Sequence, residues 1–204
     1  MDKRHAASLL FFLFALLSKE MAGTLPVLIS AYALLYEERG SRFKRALPYF
    51  MLLAGYAVFR VLAVSEFAGL HKMRADILTM FYTASVYVFE YIRLLVVPYP
   101  LKAYYGTVWH QSLSLKVAAA LALLLLAVAA CARLALRGRK NLTFGIIWTF
   151  AALLPVLNIG SLGDYALAER YLYIPSIGYA IFLAAAFSAV MKSSGGLKKV
   201  FLPA

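Results

Sequence analysis

Long apolar runs separated by short polar segments make up most of the chain. The run VAAALALLLLAVAACA at 117–132 lacks the alternation that a strand of a membrane barrel requires. A helix pairs its backbone polar groups internally, so helices are the expected elements in lipid. The pattern predicts six membrane-spanning helices, at 6–18, 21–36, 46–64, 117–134, 142–158 and 173–191. Because the first two are shorter than the roughly 20 residues of a typical span, we expect tilt, partial burial in protein or a break within the membrane.

A seventh apolar stretch, 76–97, has a different pattern. As a helix it would place five polar side chains on one stripe, at spacings of three or four residues, namely Asp76, Thr79, Thr83, Tyr87 and Glu90. The other faces are mainly apolar, which is typical of an amphipathic helix at a membrane surface or against protein. We therefore predict an interfacial or re-entrant helix here, ended by Pro98 and Pro100.

The composition agrees with a membrane location. Hydrophobic residues make up 64% of the 204 residues and charged residues only 15%, whereas soluble domains are about half apolar and a quarter charged. The predicted fold class is all-α: a polytopic membrane helical bundle forming one domain over 1–191, with a flexible cytoplasmic tail over 192–204. Cys131 is the single cysteine, which excludes an internal disulfide or thiolate metal site. We expect no metal and no cofactor.

The net charge of +12 predicts the orientation of the chain. Lys and Arg gather in cytoplasmic loops of membrane proteins, so this charge does not indicate a nucleic-acid partner. With six spans, both termini are cytoplasmic and the inner side holds thirteen of the 21 basic residues: Lys3, Arg4, Arg39, Arg42, Lys44, Arg45, Arg133, Arg137, Arg139, Lys140, Lys192, Lys198 and Lys199. If 76–97 crossed the membrane, the cluster at 133–140 would move outside and this bias would disappear.

Three polar segments then share the outer face: Lys19-Glu20, 65–116 and 159–172. An ionisable pair such as Lys19-Glu20 at membrane depth indicates a functional site, and the alternative is a plain loop in water. Glu90 and Arg93 are three residues apart on one helix and can form an ion pair. A structural role for this pair is favoured over a catalytic one.

The outer segment from Asn158 to Ser176 is the richest in polar groups, with Asp164, Glu169, Arg170 and Tyr173. An arginine at the membrane surface suits a phosphate, because its planar guanidinium donates two hydrogen bonds at once. The alternative is an ion pair of Arg170 with Glu169 or Glu20 that only packs helices.

Three stretches resemble one family: SKEMAGTLPVLI at 18–29, RLLVVPYPLKAYY at 93–105 and PVLNIGSLGDYALAERYLYIPSIGY at 155–179. Their order and approximate spacing are similar to the membrane region of the transmembrane and TPR-repeat-containing O-mannosyltransferases, which belong to the GT-C superfamily of glycosyltransferases, and of similar bacterial proteins. The resemblance implies a polyprenyl-phosphate sugar donor, an active face outside the cytoplasm and a bacterial inner-membrane location. It also implies roles for Lys19, Glu20, Arg93, Glu169, Arg170 and Tyr173 in the donor site, with Arg170 on the carrier phosphate.

The chain departs from that family at its N-terminal side. Such enzymes carry an acidic catalytic motif in a large outer loop after their first membrane helix, and no matching loop occurs here. The chain therefore resembles the C-terminal part of a larger GT-C membrane domain. We assign no catalytic residue, expect no turnover by the chain alone, and expect a partner chain that supplies the missing N-terminal helices.

Two other classes of function stay open. A membrane scaffold or assembly subunit would use the same charges only to pack helices. A small transporter would also have broken helices and charges within the membrane. Against a transporter, the sequence has no inverted repeat, and its charges are predicted near one surface instead of the midplane.

Overall fold

Seven α-helices make up most of the computed structural model, which describes residues 3–37, 44–67, 76–102, 105–106, 108–157 and 167–193. The helices are α1 Lys3–Ser18, α2 Leu25–Tyr36, α3 Leu47–Phe67, α4 Ile77–Val96, α5 Leu115–Leu136, α6 Lys140–Leu153 and α7 Tyr173–Ser193. Short 3-10 helices occur at Glu20–Thr24, Leu154–Leu157 and Glu169–Leu172. No β-strand occurs in these ranges, and the prediction of an all-α fold is confirmed.

Three helical stretches are long and apolar enough to cross a membrane: Leu115–Leu136, Lys140–Leu157 and Glu169–Lys192. By length and composition they indicate a membrane protein. Glu20–Tyr36 and Leu47–Ala63 are apolar but shorter. Every predicted span is helical to within a few residues, whereas the number that cross a membrane stays a prediction.

Local sequence accounts for several helix ends. The Asp76 carboxylate caps α4 by accepting a hydrogen bond from the backbone N–H of Thr79, over 3.3 Å. Ser114 caps α5 in the same way. Pro155 lies in the 3-10 helix that follows α6, because proline cannot continue the α-helical hydrogen-bond ladder.

The helices have two common ends. We call one the Lys19 end, where α1 and α6 stop and α5 and α7 begin; the Lys19 ammonium there lies 5.8 Å from the ring centroid of Tyr171. The other is the Lys140 end, where α2 and α7 stop and α6 begins. At that end the Tyr36 hydroxyl donates a 2.6 Å hydrogen bond to Oδ1 of Asn141.

Among the described helices, α6 and α7 make the most extensive contact, and two facing glycines lie in it. A Cβ added to Gly145 would lie 2.7 Å from the backbone nitrogen of Phe182, and one added to Gly178 would lie 2.6 Å from that of Thr149. Neither distance leaves room for a methyl group. The indole N–H of Trp148 also donates to the carbonyl of Ile174 on α7, over 3.1 Å.

Helix α4 lies across the Lys19 end of the bundle. Its buried residues Tyr87, Val88 and Tyr91 form a core cluster with residues from the ends of other helices, namely Met21, Leu153, Val156 and Leu167. Val86 packs against Val117 and Ala120 near the start of α5. Although α4 has 20 residues, it is not one of the three stretches suited to crossing a membrane.

The predicted polar stripe of α4 faces protein over most of its length. Thr79, Thr83 and Tyr87 are buried, while Ile77 and Phe81 on the opposite face are exposed. Of the two environments predicted for this helix, the structure therefore favours contact with protein. The predicted segment at Asn158–Asp164 lies outside the described residues, as does the predicted tail beyond Ser193.

Candidate functional site

Two clefts open at the Lys19 end. The first, the Lys19 cleft, has a volume of about 310 Å³ and is defined by Lys19, Glu20, Tyr56, Arg60, Pro155 and Tyr171. The second, the Glu90 cleft, has a volume of about 440 Å³ and is defined by Tyr87, Glu90, Arg93, Lys102, Tyr105 and Lys116. The segment before α7 separates them, because its Leu167 lines the Glu90 cleft and its Tyr171 lines the Lys19 cleft.

Glu20 forms an ion pair with Arg60 of α3. Arg60 also donates a 3.3 Å hydrogen bond to the hydroxyl of Tyr56, one helical turn earlier. Sequence reasoning missed both of these α3 residues. The signal was present, because a single arginine within an apolar helix needs a nearby anion or polar group.

Lys19 and Arg170 both lie against the ring of Tyr171. The Lys19 ammonium is 5.8 Å from the ring centroid, and the guanidinium carbon of Arg170 is 5.1 Å from it. These distances allow cation–π attraction. Neither cation forms an ion pair with a carboxylate within the described part of the chain.

Glu169 is held by the loop after α4. Its Oε1 accepts a 2.7 Å hydrogen bond from the Tyr105 hydroxyl and a 2.9 Å bond from the backbone N–H of Lys102. Partial burial, followed by this carboxylate contact, raises the pKa of Tyr105. The predicted alternative for Arg170, an ion pair with Glu169 or Glu20, is not formed, because both carboxylates bind other partners.

Glu90 lies between two cations in the Glu90 cleft. It accepts from Nε of Arg93 over 2.8 Å and from the ammonium of Lys116 over 2.7 Å. Burial opposes ionisation of Glu90, but the two hydrogen-bonded cations outweigh burial and lower its pKa. Arg93 also donates a 2.6 Å hydrogen bond to the carbonyl of Tyr99. The ion pair allowed by the spacing of Glu90 and Arg93 is therefore present.

Three hydroxyls, each one turn from the next on α4, bind the segment before α5 and the segment before α7. The backbone N–H of His110 donates to the hydroxyl of Thr83 over 3.0 Å. Tyr87 accepts from the N–H of Val108, and Tyr91 accepts from that of Ala168, each over 3.2 Å. The sequence of α4 alone could not predict these hydrogen bonds, because their donors are backbone N–H groups from other parts of the chain.

His110 contacts α4 through its backbone N–H. Burial first, and then the charge of Lys116, lowers the pKa of its imidazole. Among the residues that the structure describes, no group of three His, Cys, Asp or Glu side chains could hold a metal ion.

The structure brings the predicted site residues to one end of the bundle but divides them between two clefts. Lys19 and Glu20 line the first cleft and Arg93 lines the second. Glu169 and Arg170 belong to the segment that separates the clefts. Tyr173 lies at the same end, is 80% exposed, and is not a lining residue of either cleft.

The arrangement is better suited to binding an anion than to transferring a proton. The carboxylates of Glu20, Glu90 and Glu169 all accept bonds from cations or from donors of the loop after α4. A general base must be able to take a proton from its substrate, and these groups are already engaged. Lys19, Lys102 and Arg170 are cations of this end without an ion pair in the described part of the chain, and two of them, Lys19 and Arg170, share one aromatic ring.

Comparisons of the chain with protein-family models, with curated proteins and with solved structures found no match.

Proposed function

We propose that this chain is a glycosyltransferase-like membrane protein that binds a polyprenyl-phosphate sugar at its Lys19 end. On this proposal the phosphate lies between Lys19 and Arg170, at the mouth of the Lys19 cleft. The sugar occupies the cleft, and the polyprenyl chain lies in the surrounding lipid. The resemblance in the sequence supplies the ligand class, and the geometry of the Lys19 end supports anion binding.

The main support is the pair of cations on Tyr171. Two positive charges repel each other, and an anion or a π-system close to both offsets that repulsion. Here the ring of Tyr171 serves both, at 5.8 Å from the Lys19 ammonium and 5.1 Å from the Arg170 guanidinium carbon. Since no described carboxylate neutralises either charge, a phosphate would gain charge-assisted hydrogen bonds from both.

The dimensions of the cleft also suit this ligand. Its volume of about 310 Å³ is at the lower end of the range for ligand pockets, about 300–1,000 Å³. Such a volume favours a head group over a whole lipid. The apolar helix α7 begins beside the cleft. In the most apolar 18 residues of Glu169–Lys192, only 11% of the residues are buried in protein. A polyprenyl chain would therefore have an apolar surface to follow.

We further propose that the chain does not catalyse transfer alone. The carboxylates of Glu20, Glu90 and Glu169 are engaged, so a separate chain would supply the group that activates the acceptor. We propose six membrane spans, cytoplasmic termini and a Lys19 end outside the cytoplasm, because this orientation leaves most basic residues inside. The family resemblance favours a bacterial inner membrane.

Arg170 provides the direct test. Binding of farnesyl phosphate to the purified chain is compared between wild type and Arg170→Ala, with farnesol as the ligand that lacks the phosphate. Loss of a charge-assisted hydrogen bond should weaken farnesyl phosphate binding about tenfold or more. Binding of farnesol should change little. Arg137→Ala is the matched control, because Arg137 is an exposed arginine at the Lys140 end.

Equal affinity of the wild type and Arg170→Ala for farnesyl phosphate would remove the proposed phosphate site. That outcome favours a scaffold or assembly subunit, which has one observation of its own in support. The ion pairs Glu20–Arg60 and Glu90–Lys116 each join different helical elements, as charges that only fix helix packing would do. A scaffold predicts that Arg170→Ala changes the melting temperature without changing any phosphate affinity.

A further inference from the structure

A groove larger than either cleft lies at the opposite end from the proposed donor site. This groove, the Lys140 groove, has a volume of about 580 Å³ and runs between the start of α6 and the last turns of α7. Its polar part consists of Tyr36, Arg139, Lys140, Asn141 and Lys192. Its apolar part is lined mainly by small residues of α7, including Ala184, Ala185 and Ala189.

The polar part of the groove is cationic. Arg139, Lys140 and Lys192 are exposed and border it, and none of its lining residues is an acid. The Lys140 ammonium lies 5.9 Å from the ring centroid of Tyr36, whose hydroxyl binds Asn141. Glu37, which follows Tyr36, forms a 2.6 Å ion pair with Arg45.

The start of α6 adds to this positive potential. Its N-cap residue, Arg139, makes no side-chain capping hydrogen bond. The first turn of a helix carries partial positive charge from its backbone N–H groups, which favours an anion. Three side-chain cations and one helix end therefore border the same groove.

The apolar part of the groove is elongated. The lining residues of α7 run from Ile181 to Lys192, which corresponds to about 16 Å at the rise of an α-helix. Small side chains along this length leave a channel next to the charged end. A free phosphate would use only the charged end, whereas a phospholipid would use both parts.

We propose that the Lys140 groove binds one anionic phospholipid. The head-group phosphate lies among Arg139, Lys140 and Lys192, and an acyl chain follows the alanines of α7. Basic pockets between membrane helices bind anionic lipids through this combination of charge and apolar contact. The site is separate from the Lys19 cleft and does not depend on the proposed sugar donor or on the orientation of the chain.

Native mass spectrometry of the purified protein in detergent tests the proposal. Dioleoylphosphatidylglycerol should bind the wild type more tightly than dioleoylphosphatidylcholine. The triple variant R139Q/K140Q/K192Q should weaken phosphatidylglycerol binding about tenfold or more. The control K3Q/R4Q/K44Q removes the same number of exposed charges outside the groove, and it should change the affinity by less than about twofold. Similar losses in both triple variants would overturn the proposal, because binding would then follow net charge alone.

A second pair of variants tests the apolar part. Ala185→Leu fills the groove while every charge is kept, and it should weaken phosphatidylglycerol binding. Ala129→Leu on the exposed surface of α5 is its control and should leave binding unchanged. Glycerol 3-phosphate tests a free anion at the same site. If it binds as tightly as the lipid, or if Ala185→Leu binds lipid like the wild type, the groove is not a lipid site.

Discussion

Charged side chains at the Lys19 end differ in whether a counter-ion lies beside them. Glu20 is paired with Arg60, and Glu90 is paired with both Arg93 and Lys116. Lys19 and Arg170 have only the ring of Tyr171 in common. Lys19 and Arg170 are both exposed, so an anion from outside can reach them.

Glu90 should make stability depend on pH. Its pKa is lowered in the folded chain from about 4.3 in an unfolded chain, so its contribution is complete above about pH 4.3 and is lost as pH falls through the lowered value. Glu90→Gln should unfold about 2–4 °C below the wild type at about pH 7, as expected for a loss of about 1 kcal/mol. Melting curves in detergent across the acidic range should show this difference shrinking below about pH 4. A difference that stays constant with pH would contradict the role of the Glu90 charge.

Among the helices, the α6–α7 pair is the most constrained, because Gly145 and Gly178 meet where no side chain fits. Small residues that let two backbones approach are a common means of helix association in lipid. The same pair connects the two ends of the molecule. The 3-10 helix that follows α6 borders the Lys19 cleft, and the start of α6 and the last turns of α7 line the Lys140 groove.

Gly178→Ala should therefore lower stability. The added methyl group would meet the backbone of Thr149, which cannot rotate away as a flexible side chain can, and overpacking of this kind costs about 1–3 kcal/mol. The melting temperature should fall by several degrees. Gly55→Ala in α3 is the matched control, since its Cβ would meet nothing within 4 Å and helix propensity favours alanine over glycine. Equal melting temperatures for the two variants would contradict the close contact.

The helices themselves could be predicted from the sequence, but their contacts could not. Apolar runs of helical length predict α5 and α7 to within a few residues, because run length and composition are local properties. The two clefts, in contrast, depend on contacts between residues that are far apart in the sequence. Arg60 reaches Glu20 across 40 positions, and Tyr105 reaches Glu169 across 64. Arg60 could have been noticed as an isolated charge, whereas nothing in the sequence selects its partner.

In the whole molecule, charge differs between the two ends. The Lys19 end combines acids and bases, whereas the Lys140 groove has three exposed cations and no acid among its lining residues. Cytoplasmic loops of membrane proteins are enriched in Lys and Arg. This difference supports the proposed orientation, with the Lys140 end in the cytoplasm.

Labelling of introduced cysteines tests this orientation. In a Cys131→Ala background, Lys102→Cys at the Lys19 end should react with an impermeant maleimide added to intact cells. Lys192→Cys at the Lys140 end should react only after the membrane is opened. Reaction of both positions in intact cells would contradict the proposed orientation, as would reaction of Lys192→Cys alone.

The glycine contact between α6 and α7 also fixes how the two helices are aligned along their length. Sliding α7 by one turn would bring Ile174 or Phe182 to the position of Gly178, where Thr149 leaves no space. The stretch Lys140–Leu157 has 18 residues, most of them apolar, and is roughly 27 Å long at the rise of an α-helix. A bilayer of different thickness cannot be matched by sliding one helix past the other. With the proposed spanning arrangement, the pair would tilt as a unit, or the lipid would thin or thicken around it.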